Sequence, residues 1–420
     1  MATEMSADVF RRSDCRLCGS TDRELVLPLV PTPVGEGYAT ADRLSDVQPC
    51  YPMDLFMCRA CGHAEFPDVI NPEILYRNYL YQTSVSLGLV EHFRGYADEV
   101  VRLVKPAAGS LVIDIGSNDG SLLKFFKGHA LRVLGVDPAQ EIARGATEAG
   151  VETLPDFFTL DLARKIRRER GPATLITANN VFANIDGLVD VAAGIRELLA
   201  PDGVFVFETS YLLDVLQKTL LETFFHEHLC YYSVRPLGAF FRRHGMELFD
   251  VKRVPTKGGS IRGFVQLRSG PRKASPSVAE QMGLEQEFGL DRPAPYRAFA
   301  AKIADIRNDL ATRSEAIKAK DQIIAGYGAS VGVTTLIYQF DLGMRLEFLV
   351  DDNPVRHNRF SPGHHIPVLP SQAIYDRKAD YILVLAWAYF GPIRKRHQRY
   401  LSEGGRFIIP LPKVTVIEGA

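Results

Sequence analysis

Asp114-Ile115-Gly116-Ser117-Asn118-Asp119-Gly120 closes the apolar run LVIDIG and opens onto SLLKFF, a stretch with helical spacing. A strand that passes through a glycine turn into a helix sets that turn at the carboxyl edge of an open α/β sheet, where such folds bind cofactors. Glycine there lets a ligand approach the backbone closely. About twenty residues on, the next apolar run, RVLGVDP, ends on Asp137, a carboxylate able to accept both hydroxyls of a ribose. A dinucleotide fingerprint needs G-x-G-x-x-G to bring amides to a pyrophosphate. This loop instead reads G-x-N-D-G, and its acid repels phosphate but suits the α-amino group of a methionine. Gly116, Asn118, Asp119, Gly120 and Asp137 are therefore expected to hold S-adenosylmethionine. Further along, Phe157 of Asp156-Phe157-Phe158 is placed to cover the adenine, or else packs in the core. Asn179-Asn180, after ATLITANNV, falls at the sulfonium end, or else starts a helix.

Outward from this loop the alternation continues through ATLITANNV, a helix over Val189 to Leu199, and GVFVFE. Short apolar strands alternating with helices specify a mostly parallel sheet covered on both faces. After a charged helical connector, QIIAGYGAS, RLEFLVDDNP, ADYILVLAW and GRFIIPLP start a second alternation. The expected class is α/β, with a small N-terminal module (1–71), a Rossmann-like methyltransferase domain (72–300) and a second Rossmann-like domain (301–420). The C-terminal loop Gly326-Tyr327-Gly328-Ala329-Ser330 with Asp351 resembles a dinucleotide turn but lacks the full glycine pattern, so an architectural or sugar-nucleotide role is favoured over a redox cofactor.

Residues before Asn71 are rich in Pro and Gly, show little apolar periodicity, and carry Cys15-x-x-Cys18-Gly19 and Cys58-x-x-Cys61-Gly62. A module this small needs a staple, and two knuckles complete a tetrahedral shell of thiolates around a structural zinc. Four thiolates leave no open position, so the metal is not expected to do chemistry. Cys50 and Cys230 fall outside the pairs. With 49 basic and 50 acidic residues the chain has no charge surplus for a nucleic-acid backbone. The N-terminus lacks the apolar stretch of a signal peptide and no run is long enough to span a bilayer, so a cytoplasmic protein without a membrane partner is expected.

Taken in order, the Cys-x-x-Cys knuckles, DIGSNDG, Phe225-His226-Glu227-His228-Leu229-Cys230-Tyr231-Tyr232, Gly258-Gly259-Ser260-Ile261-Arg262, Gly326-Tyr327-Gly328-Ala329 and Asp351-Asp352-Asn353-Pro354 resemble the sugar C-methyltransferases over nearly the whole chain. The resemblance implies a nucleotide-linked 4-keto-6-deoxy sugar, carried on dTDP or GDP, as substrate in deoxysugar biosynthesis. The family motif Tyr-x-Glu-His aligns with Phe225-His226-Glu227-His228, which gives His228 the place of the catalytic base and Glu227 that of its acidic neighbour. Phe225 lacks the tyrosine hydroxyl, and Asn184 stands where many relatives carry a histidine.

A carbon beside a ketone is acidic enough for histidine, whose pKa lies near neutrality, to deprotonate. The expected reaction is proton removal by His228 at C3 beside a C4 ketone, giving an enediolate that attacks the sulfonium methyl. The oxyanion needs donors, with His226, Asn184, Tyr79 and Tyr81 as candidates. Lys257, Gly259 and Arg262 are expected to contact substrate phosphate or sugar oxygens, unless Gly258–Arg262 is a plain strand turn. Rival readings are an O- or N-methyltransferase on a related sugar, a nicotinamide-dependent oxidoreductase, and a scaffold without turnover.

Overall fold

A computed structural model describes residues 8–76, 82–85 and 88–419. The chain forms two compact units: Met1–Glu24, Met57–Leu213 and Leu229–Arg292 build the first, while Leu25–Phe56, Asp214–His228 and Pro293–Ala420 build the second. The stretch between the two knuckles and the segment ending at His228 belong to the second unit.

The first unit is organised by strands β1 (Leu111–Ile115), β2 (Arg132–Val136), β3 (Thr153–Leu154), β4 (Ala173–Asn179), β5 (Leu199–Ser210), β6 (Met246–Val254) and β7 (Ser260–Leu267), lying side by side in the order β6-β7-β5-β4-β1-β2-β3. The five strands from β1 to β5 pair in parallel, whereas β7 runs antiparallel to both β5 and β6. Strand β1 is buried along its whole length, as expected of a central strand covered on both faces. Helix α1 (Leu89–Val104) covers the sheet with Leu89, Phe93, Tyr96, Ala97, Val100 and Val104, whose spacing of three and four residues puts them on one face. Lys105, in left-handed conformation, ends the helix, and Pro106 follows.

The antiparallel strands were hidden in the sequence by polar residues. Arg262 and Gln266 are buried in β7, so its pattern does not read as an apolar strand.

The second unit repeats the theme with β8 (Ile324–Tyr327), β9 (Phe348–Asp351), β10 (Arg359–Phe360), β11 (Pro367–Pro370), β12 (Tyr381–Val384), β13 (Arg406–Ile409) and β14 (Thr415–Ile417), ordered β10-β11-β9-β8-β12-β13-β14. The four apolar strands expected from sequence are β8, β9, β12 and β13. Proline-flanked β11 joins them in parallel beside β9, and the two outer strands β10 and β14 are antiparallel. Ala325, Phe348, Val350, Ile382, Val384 and Phe407 form the centre of its core.

Candidate active site

The four expected metal ligands converge. In the first knuckle Cys15 N–H donates to the Ser20 carbonyl and Gly19 N–H to the Cys15 carbonyl. Cys58 and Gly62 repeat both bonds in the second, with Gly19 and Gly62 at positive φ. The sulfurs of Cys15, Cys18, Cys58 and Cys61 all lie within 4.8 Å of one another, with Cys15–Cys61 at 3.7 Å and Cys18–Cys58 at 3.4 Å. Tetrahedral zinc with sulfurs at about 2.3 Å sets them roughly 3.8 Å apart, so the residues fit the ion. Cys50 is exposed and not in the cluster.

At the carboxyl edge of the first sheet lies a cavity of about 490 Å³. Gly116, Asn118, Asp137, Phe157, Asn179, Asn180, Asn184 and Lys257 line it, which brings together most of the expected cofactor residues. Gly116 has φ 71°, and a Cβ there would stand 2.8 Å from Val181, so the turn requires glycine. Asp137 is fixed by two backbone donors, Asn118 N–H at 2.8 Å and Ala139 N–H at 2.9 Å, each of which occupies one carboxylate oxygen and leaves that oxygen a further lone pair. Burial pushes its carboxyl above the usual range while the amides pull it back. Phe157 and Phe158 both line the cavity, Phe157 half-buried and Phe158 buried against Gly194 of the helix Leu188–Leu198. Both polar atoms of the Asn179 side chain, and Oδ1 of Asn184, are buried without a well-formed hydrogen bond among the described residues. Buried polar groups are rarely left so, and here they face a cavity. Lys257, with φ 52°, is the one basic residue lining the cavity among the described residues; water reaches it, yet surrounding protein pushes its ammonium down to about 8, partly countered by Glu208.

Other expectations are corrected. Asp119 and Gly120 are not among the cavity's lining: Asp119 accepts from the backbone and hydroxyl of Ser121 with one oxygen and from Ser84 N–H with the other. Arg262 is no free anion receptor. Only 2% exposed, it donates to Glu208 at 2.9 and 2.7 Å and to Glu99 at 2.8 Å, and lies 4.2 Å from the Tyr96 ring centre. Gly259 is buried at the start of β7, its carbonyl accepting from Tyr211 N–H. Tyr79 and Tyr81 lie outside the described residues.

In the second unit, His228 is buried with Nδ1 2.9 Å from the Thr223 carbonyl, an acceptor only; that nitrogen therefore carries the hydrogen and Nε2 is the basic one. Phe225 packs on the imidazole, ring centres 3.8 Å apart. Burial and the Glu36 carboxylate push the Glu227 carboxyl up to about 7. His226, whose Nε2 is 3.3 Å from the Tyr51 carbonyl, is pushed down to about 4 by burial and stays neutral near pH 7.

Sequence reasoning missed Asp186, Phe10 and Val69, which also line the cavity. The last two come from the paired strands Val9–Arg11 and Asp68–Ile70 flanking the knuckles, a long-range pairing with no local signature. Among the described residues no helix is long and apolar enough to cross a membrane.

Comparison with known proteins is consistent along the chain. Residues 15–76 match a zinc-binding-domain family, residues 90–251 a methyltransferase-domain family, and residues 255–412 the family described as the C-methyltransferase C-terminal domain. The C-methyltransferase NovU of Streptomyces niveus is 32% identical over 412 residues, covering 98% of both chains. Solved structures that align include an S-adenosylmethionine-dependent methyltransferase from Clostridium acetobutylicum, at 15% identity over 43% of this chain and 92% of that one with a TM-score of 0.35. Another is magnesium protoporphyrin IX methyltransferase of Synechocystis with bound SAH, at 18% identity over 42% and 84% with a TM-score of 0.33.

Proposed function

Because the chain belongs to the S-adenosylmethionine-dependent C-methyltransferases that join a zinc-binding module, a methyltransferase domain and a C-methyltransferase C-terminal domain, we propose that it methylates a carbon beside the ketone of a nucleotide-linked 4-keto-6-deoxy sugar. The nucleotide is dTDP or GDP, and the setting is deoxysugar biosynthesis. Cysteines gathered as a metal-ligand set rather than in disulfides fit a reducing compartment, the cytoplasm.

The observation that carries the reading is the hydrogen bond from His228 Nδ1–H to the Thr223 carbonyl, which makes Nε2 the basic nitrogen of the ring. The bound cofactor supplies an electrophilic methyl on a sulfonium. His228 Nε2 takes the proton from C3, and the electrons of that C–H bond move into the ring to leave negative charge on the C4 oxygen. His226, in the same segment, donates to that oxygen in place of the hydroxyl that Phe225 lacks. The carbanionic carbon would take up the methyl that the cofactor supplies as an electrophile, leaving its demethylated form, and His228 returns its proton to solvent. Glu227, held near neutrality, binds a sugar hydroxyl. Asp137 and Phe157 hold the ribose and adenine, Gly116 and Asn118 the methionine end, and Asn179 and Asn180 frame the sulfonium.

The test is hydrogen exchange. In deuterated water the wild-type chain should wash out the ring hydrogen beside the ketone, and His228→Asn should lower exchange and methylation together by about 10²- to 10⁴-fold while SAH still binds. Normal exchange and methylation by His228→Asn would remove the histidine from this role. Equal methylation of the reduced 4-hydroxy sugar would remove the ketone.

A further inference from the structure

The first knuckle is wired to the cofactor cavity through Arg16, which stands between Cys15 and Cys18. Its guanidinium is 2% exposed; Nε donates to Asp186 at 3.0 Å, while Nη1 donates to Glu65 at 3.0 Å and to the Phe66 carbonyl at 2.7 Å. Arg12, three residues before the knuckle, donates from Nη1 to both oxygens of Asp186 at 3.2 Å. Asp186 in turn belongs to the cavity wall with Asn184 and Gly187. The segment leading into that wall is held at a second point: the Tyr232 hydroxyl donates to the carbonyl of buried Phe182 at 3.0 Å, and its ring stacks at 5.6 Å on His63, which follows the second knuckle. Arg59, at the equivalent position between Cys58 and Cys61, makes no such link; its side chain is 56% exposed and pairs with Glu24 and Asp22.

We propose that Arg16 is a positioning residue through which the metal-closed knuckle fixes Asp186 and the 184–187 wall of the cavity, so that zinc binding and cofactor affinity are coupled. The proposal rests on the reading of this cavity as the S-adenosylmethionine site. A planar guanidinium reaches Asp186 and Glu65 at once, which a lysine ammonium on its single-point stem does not. Four thiolates packed this closely need a cation between them, so without metal the turn that aims Arg16 is no longer held closed.

The experiment titrates SAH calorimetrically into the zinc-replete full chain carrying Arg16→Lys or Asp186→Asn, with metal content measured in parallel and Arg59→Lys as the control. Arg16→Lys should retain one zinc per chain, raise the SAH Kd about tenfold, and raise the KM for S-adenosylmethionine while kcat at saturating cofactor stays within about twofold. Arg59→Lys should change neither zinc content nor Kd. The double variant Arg16→Lys/Asp186→Asn should lose no more affinity than Asp186→Asn alone. An unchanged Kd in zinc-loaded Arg16→Lys overturns the proposal. Should Arg16→Lys not fold, an unchanged Kd in zinc-loaded Asp186→Asn does so as well. A wild-type chain that binds no SAH overturns the cofactor reading itself, a distinct outcome.

Discussion

The two sheets of this protein carry the same device at their carboxyl edges. In the first, Gly116 N–H donates to the Val136 carbonyl at 2.8 Å and Asp137 accepts from Asn118 and Ala139; in the second, Gly328 N–H donates to the Val350 carbonyl at 2.8 Å and Asp351 accepts from Ala329 and Asn353, both at 2.7 Å. Beyond that shared backbone they diverge. The first edge opens into a cavity where the Asn179 amide has no well-formed partner and Lys257 brings a cation. Around the second, Tyr327 donates its hydroxyl to Asp352 at 3.1 Å and lies 3.2 Å from His397 Nε2, and a Cβ on Gly328 would meet Ala386 at 2.9 Å. A glycine turn facing a strand-end carboxylate is thus a way of closing a parallel sheet edge; what binds there is decided by the side chains that surround it.

The comparison is broken most forcefully through the four-thiolate site, which among the described residues belongs to the first unit. Cys58→Ser should lose bound zinc and lower the first unit's melting by roughly 10 °C or more, because structural zinc contributes on the order of 10 kcal/mol of folding free energy. Metal analysis and calorimetric melting check it, and retention of zinc with unchanged melting would contradict the four-thiolate site. Next in size, Asp137→Asn should weaken SAH binding about 100-fold, the loss of two charge-assisted hydrogen bonds, whereas Asp351→Asn should leave the SAH Kd within about twofold. Equal losses in the two variants would mean that the edges do not differ as described.

The smallest effect concerns Glu222 in the second unit, whose carboxyl burial pushes up from 4.5 to about 7. A carboxyl raised in the folded chain holds its proton more tightly there, so its stabilising contribution is complete below pH 4.5 and is lost as pH rises through about 7. Glu222→Gln should therefore flatten the fall in melting temperature across that window by a few degrees, read by thermal denaturation at several pH values. A slope unchanged from wild type would show that Glu222 titrates at its ordinary value.

What was legible in the sequence is what short-range chemistry enforces. The knuckles and the Gly116 and Asp137 turn are written in fixed local spacings, and the structure brings each set together. What was not legible depends on partners far along the chain. Arg262 looks like an anion receptor until Glu208 and Glu99, 54 and 163 residues away, are seen to occupy it. Asp119 looks like a ligand for an amino group until Ser84, 35 residues earlier, takes its second oxygen. Those same pairings hid strand β7, since a buried arginine breaks an apolar pattern and is tolerated because the buried carboxylate of Glu208 and the half-buried one of Glu99 meet it. Asp186 escaped notice for the same reason, its meaning resting on Arg12 and Arg16.

The central claim is carbon methylation driven by a neighbouring ketone, and the most direct measurement is NMR of the product formed from S-adenosylmethionine with a ¹³C-labelled methyl and a thymidine-diphosphate-linked 4-keto-6-deoxyhexose. The account predicts that the labelled methyl couples to a ring carbon flanking C4, with C3 the expected position. A label attached to oxygen or nitrogen would contradict it.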